Sequence, residues 1–135
     1  MSLGKQIVGN AGLFYVCYQL SRRGWNVIST SRNTKGIDVV AYNQEGKKFV
    51  GIQVKALSKP NSVRFGKSLD DLMGDFWIIV DKATTDAPRA YVLKLDEVKK
   101  LASEPKTEGS IYWLQPNHYA QEKFAENWER LGKPH

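Results

Sequence analysis

Residues 36–56, GIDVVAYNQEGKKFVGIQVKA, restrict the fold more than any other stretch. Two apolar runs rich in valine and isoleucine flank the polar segment NQEGKK, the pattern of a β-hairpin. With Glu45-Gly46 as a two-residue loop, Val40 faces Gly51 and Asp38 faces Gln53 across the strands. Side chains alternate along a strand. Ile37, Val39, Ala41, Val50, Ile52, Val54 and Ala56 then form one apolar face, and Asp38, Gln53 and Lys55 gather at one end of the other. A sheet half buried on this scale needs helices to cover it.

The rest of the chain supplies them. Residues 5–23 are nearly all apolar between Ala11 and Leu20, which predicts a helix buried on most sides, with Gly24 as its C-cap. WNVIS reads as a first strand, and SLDDLMGD as a short helix capped by Ser68. FWIIVD reads as a central strand, AYVLKL as a further strand, and DEVKKLA as a helix with Asp96 as N-cap. SIYWLQ is expected at a sheet edge. Residues 118–131 read as a last helix with Ala120, Phe124, Trp128 and Leu131 on one stripe. The expectation is α/β (α+β): one mixed sheet with flanking helices, in a single domain over residues 1–135.

Composition narrows the class. Hydrophobic residues at 41% and charged residues at 25% are those of a globular chain, and no apolar run reaches the roughly 18 residues of a membrane span. The first residues lack the layout of a signal peptide, so a cytoplasmic protein with no membrane partner is expected. Cys17 is the only cysteine, which excludes an internal disulfide and a cysteine-based zinc cluster, and its apolar setting predicts an inert thiol. His118 and His135 are not spaced as metal ligands. The net charge of +6 is uneven: residues 1–67 carry 11 Lys and Arg against 2 Asp and Glu, and residues 68–135 carry 9 against 12. One basic face able to meet a polyanion follows.

A carboxylate, an amide oxygen and a backbone carbonyl are hard ligands suited to magnesium or manganese. A lysine beside them can orient water or neutralise a phosphate. The plainer alternative is a structural Asp38–Lys55 pair on a partly exposed sheet.

GID at Gly36–Asp38 and QVK at Gln53–Lys55 resemble the signature of the PD-(D/E)xK nuclease superfamily: an aspartate on the second core strand and an acid-x-lysine on the third. GNAGLFYVCYQLSRRGWNV is similar to the opening helix of its small resolvase-like members. The resemblance covers roughly residues 5–100 and implies a restriction-endonuclease-like αβββαβ core, followed by a strand and helix over about 110–131. It implies Asp38, Gln53 and the Val54 carbonyl as ligands of weakly bound Mg2+ or Mn2+, and Lys55 as the catalytic lysine. Glutamine replaces the usual acid at Gln53. The helix glutamate of the family corresponds to Leu13, with Asn10 one turn earlier as a substitute oxygen donor.

The resulting expectation is a metal-dependent nuclease acting on DNA rather than RNA, with Arg22, Arg23, Arg32, Lys35, Lys59, Arg64 and Lys67 as phosphate contacts. The reading requires Asp38 and Lys55 to serve one site rather than opposite faces of the sheet. The alternatives are a nucleic-acid-binding module of the same fold that does not cut, and a protein-interaction domain using Tyr112 and Trp113. A homodimer is compatible with each.

Overall fold

The computed structural model describes residues 3–30, 36–104 and 110–135. Helix α1 (Lys5–Arg22) is followed by strands β1 (Asn26–Ser29), β2 (Val39–Tyr42), β3 (Phe49–Ala56), β4 (Val63–Arg64), β5 (Phe76–Asp81) and β6 (Arg89–Lys94). Helix α2 (Leu95–Leu101), strand β7 (Trp113–Leu114), helix α3 (Pro116–Tyr119) and a 3-10 turn at Trp128–Leu131 complete the chain. Five strands form a mixed sheet in the order β1-β2-β3-β5-β6, with β3 and β5 parallel and the other pairs antiparallel. A mixed α+β architecture is therefore present. No helix among the described residues is long and apolar enough to cross a membrane.

Helix α1 lies on one face of the sheet. Val8, Gly12, Val16 and Leu20 recur at helical spacing and are its buried residues. They pack with Val39, Ala41, Val50 and Ile52 of the hairpin. The helix ends at Arg22 with Arg23 as its C-cap, one residue before the expected Gly24. Gly24, at φ +101°, donates to the Ser21 carbonyl and Trp25 donates to that of Leu20, both at 3.1 Å. That paired ending is a Schellman motif, whose left-handed residue favours glycine.

Gly12 sets the closeness of α1 to β3. A β-carbon there would lie 2.4 Å from the Ala56 β-carbon, whereas one on Gly9 meets nothing within 4 Å. Gly12→Ala should therefore cost about 1–3 kcal/mol by overpacking. Gly9→Ala should gain about 0.5–1 kcal/mol through helix propensity. Urea melts of the two variants, which should move in opposite directions, check this.

The other face of β5 and β6 buries Trp77, Ile79, Tyr91 and Leu93 beneath Val63, Phe65, Val98, Leu114, Tyr119 and Phe124. All six residues of β5 are buried, as expected of a central strand. The cover differs from expectation in several places. Residues 68–72 make turns rather than a helix: the Ser68 hydroxyl accepts the Asp70 N–H at 3.1 Å, closing a local turn. The crossover from β3 to β5 thus contains β4 but no α-helix, a departure from the expected αβββαβ order, which has its second helix there. Strand β7 pairs with β4 in a separate two-stranded sheet. Lys94, not Asp96, is the N-cap of α2, because Lys94 continues β6 directly into the helix and leaves Asp96 in the first turn.

The last helix is the largest departure. Phe124 joins the second core, while Trp128 and Leu131 join the first, and Ala120 is exposed. Residues 124–126 run beside β6 instead: Val92 donates to the Phe124 carbonyl at 2.9 Å and Glu126 to that of Ala90 at 2.7 Å. Edge-strand β6 would otherwise present unpaired backbone groups. Glu126, at φ +48°, interrupts any helix there, and its carboxylate accepts from Tyr15 Oη, Trp128 Nε1 and the Ala90 N–H.

Burial, then the nearby Asp81 charge, pushes the Tyr119 phenol up to about 12, and its hydroxyl donates to the Asn61 carbonyl at 2.7 Å. Burial, then the Glu126 hydrogen bond, does the same to Tyr15. Because these folded-state values exceed the unfolded value near 10, their contribution is complete below pH 10 and is lost as pH rises toward 12. Fully buried Tyr119 should account for about 2 kcal/mol of that loss. Melting temperatures from pH 9 to 12 should fall less steeply for Tyr119→Phe than for wild type, over a window set by the same shift.

Candidate functional site

The hairpin positions the site. Its register is the expected one, with Val40 opposite Gly51 and Ala41 opposite Val50. The loop is longer than two residues. Asn43 donates to the Lys48 carbonyl at 3.1 Å and its side chain accepts from Lys47 and Lys48, so Gln44–Lys47 form the turn about the same centre. Symmetric lengthening leaves the pairing unchanged.

Before β2 the alternation breaks. Gly36 has φ +81°, and Ile37, expected on the α1 face, instead reaches over Gly51. A β-carbon on Gly51 would lie 3.2 Å from Ile37 Cδ1, so the glycine makes the room. The Asp38 N–H donates to the Ile52 carbonyl at 2.8 Å, and Thr30 holds the Ile37 carbonyl through its hydroxyl at 2.5 Å. Asp38 Oδ2 accepts the Val54 N–H at 2.7 Å. Strand N–H groups point along the sheet, so this carboxylate oxygen lies near the sheet plane, where β2 has ended and β3 continues.

The carboxylate borders a cavity of about 380 Å³ between α1 and the sheet, lined also by Lys5, Gln6, Gly9, Asn10, Leu13, Thr30, Val54 and Ala56. Leu13 and Asn10 therefore border the same cavity as Asp38. Lys5 and Gln6 were not singled out from sequence. The signal was there for Lys5, which precedes Gly9 and Leu13 by successive steps of four along one helix face.

Gln53 and Lys55 do not line this cavity. Their partners in β5 are Trp77 and Ile79, whose side chains belong to the opposite core. Lys55 Nζ sits 5.6 Å from the centre of the Trp77 ring, and Asp38 and Lys55 form no ion pair. Gln53 Oε1 is buried and accepts no hydrogen bond. The expected convergence on one cavity thus holds for Asp38, Val54 and Asn10 and not for Gln53 and Lys55.

The basic residues are spread out. Arg22 and Arg23 are at the far end of α1 from the cavity, and Arg23 packs over the Trp128 ring at 5.5 Å. Lys59, Arg64 and Lys67 are exposed around β4, with Arg64 over Trp113 at 5.3 Å. Arg32 and Lys35 lie outside the described residues. Tyr112 packs on the second core, so it and half-buried Trp113 offer little free surface. Burial pushes the Cys17 thiol up, which suits an inert side chain. Among the described residues no three His, Cys, Asp or Glu side chains form a group that could hold a metal ion. No family model matches the chain, and no curated protein or solved structure is detectably similar to it.

Proposed function

We propose that the protein is a nucleic-acid phosphodiesterase with a restriction-endonuclease-like core of the PD-(D/E)xK type, acting on DNA with Mg2+ or Mn2+. The observation that carries this reading is the Asp38 carboxylate, held by the Val54 N–H beside a cavity that Asn10 also lines. Gln53, one residue before Val54, buries an amide oxygen with no donor, but on the face of β3 away from that cavity.

Asp38, the Val54 carbonyl and Asn10 are the oxygen donors at the cavity that would hold the cation, and Gln53 would have to turn from the other face of β3 to join them. When bound, the cation would supply charge stabilisation at the phosphoryl oxygens and acidify a water. Asp38 is already oriented, since one of its oxygens is engaged by Val54. Lys5 at the cavity wall is placed to neutralise a phosphate. Lys55 would have to leave the Trp77 ring to approach the carboxylate, which lies near the sheet plane between the two faces.

That position of Lys55 favours a second reading, a module that binds nucleic acid without cutting it. Incubation of supercoiled and single-stranded DNA with manganese separates the two. Nicked or shortened product supports the phosphodiesterase, whereas retained binding with no product at any manganese concentration selects the module.

A further inference from the structure

Helix α1 carries a second feature on the side away from the sheet. Ile7, Phe14 and Tyr18 are 53%, 64% and 63% exposed, although each is large and apolar or aromatic. Their spacing of seven and four places them on one stripe. Asn10, which lines the Asp38 cavity, is one helical turn before Phe14, so the stripe starts at the cavity rim. No described residue covers it.

Charge indicates the occupant. Residues 1–37 contain Lys5, Arg22, Arg23, Arg32 and Lys35 and no Asp or Glu. Within α1 the charged residues are Lys5 and Arg22, near its two ends, with Lys5 on the cavity face rather than on the stripe. A second copy packed stripe against stripe would offer no acid on the helix to pair with Arg22. A polyanion meets the opposite situation. A duplex conceals the faces of its bases and would leave the rings unused, whereas an unpaired strand offers phosphates to the lysine and arginine and base faces to the aromatics.

We propose that Phe14 and Tyr18 are a stacking platform for unpaired bases, and that the strand they hold runs along α1 past the Asp38 cavity. This rests on the nucleic-acid reading above and names its substrate class as single-stranded or locally unpaired. Both rings project into solvent, so replacing them should leave the fold intact.

The test compares binding of oligothymidylate and of a duplex with the same number of phosphates, in chelator, to wild type, Phe14→Ala, Tyr18→Ala and Tyr18→Trp. Each alanine should weaken single-strand binding by about fivefold to a hundredfold, the span of one lost base stack. Duplex binding should change less than about twofold, and the salt dependence should stay the same because no charge is removed. Tyr18→Trp should retain single-strand binding. If duplex binds and the alanine variants leave single-strand binding unchanged, the platform is wrong and the nucleic-acid reading survives. Absence of binding to either probe overturns both. A wild-type dimer in sedimentation that Phe14→Ala converts to monomer, with single-strand affinity unchanged, identifies the stripe as a self-interface and overturns the platform.

Discussion

Asp38→Ala should abolish manganese-dependent hydrolysis, by at least about a thousandfold, since one group stabilising transition-state charge is commonly worth that much. Asp38 is the carboxylate in the cavity, so no neighbouring acid compensates for it. The complementary change, Gln53→Glu, adds an anion one residue from Val54 and should tighten cation binding by about tenfold once its side chain turns toward Asp38. Manganese should be preferred to magnesium, as amide and carbonyl donors suit the less demanding ion. The geometry adds a third variant. Leu13 lines the same cavity as Asp38, so Leu13→Glu would add a second carboxylate to its wall. Its folded form should be destabilised without cation, since a half-buried carboxylate lacks a partner, and rescued by manganese. Calorimetric titrations and melts of the four proteins give the answer. If Asp38→Ala binds manganese as well as wild type and Gln53→Glu no better, these residues are not a cation site, and the non-cutting module replaces the phosphodiesterase.

The parts of this fold that were legible in the sequence are those governed by local periodicity. Alternation along residues 36–56 gave the hairpin register, and the run FWIIVD gave the central strand, because each pattern has one way to bury itself. The C-terminal segment was misread for a tertiary reason. Phe124 and Trp128 have helical spacing, but they enter cores on opposite faces of the sheet, and what lies between them caps the β6 edge. No local pattern records that an edge strand elsewhere lacks a partner. The site was half legible. Residue types at Asp38, Gln53 and Lys55 stood out, yet strict alternation put Asp38 on their face. Gly36, with positive φ, redirects the chain before β2 and turns Ile37 across Gly51. The position of Asp38 follows from that local exception. Lys55 over Trp77 was likewise invisible, because it depends on the parallel pairing of β3 with β5.

Nucleic-acid affinity should fall by about 60-fold to a thousandfold between roughly 50 and 200 mM salt, a slope near −3 to −5 for about three to six neutralised phosphates. The net +9 of residues 1–67 against −3 for residues 68–135 motivates the range. The count stays below the number of basic residues because the described cations do not form one strip. Arg23 is turned over Trp128, Arg64 lies over Trp113, and Lys55 is on the far side of β3 from the cavity. Lys5 at the cavity wall is the strongest candidate contact that the structure adds, and Lys5→Glu should weaken binding and flatten the slope by more than one contact, since it introduces repulsion as well. Arg32→Glu and Lys35→Glu should act in the same direction, as expected from their place just before Asp38 in the chain. Lys123→Glu is the control: Lys123 is exposed in the acidic half and sits beside Phe124, remote in sequence and core from α1. Arg130 is unsuitable for that purpose, because it pairs with Glu97 and its loss would unsettle the second core. Fluorescence anisotropy across the salt series decides the matter. A flat dependence, or equal losses for Lys5→Glu and Lys123→Glu, would mean that the basic half is solvated surface and that α1 meets no polyanion.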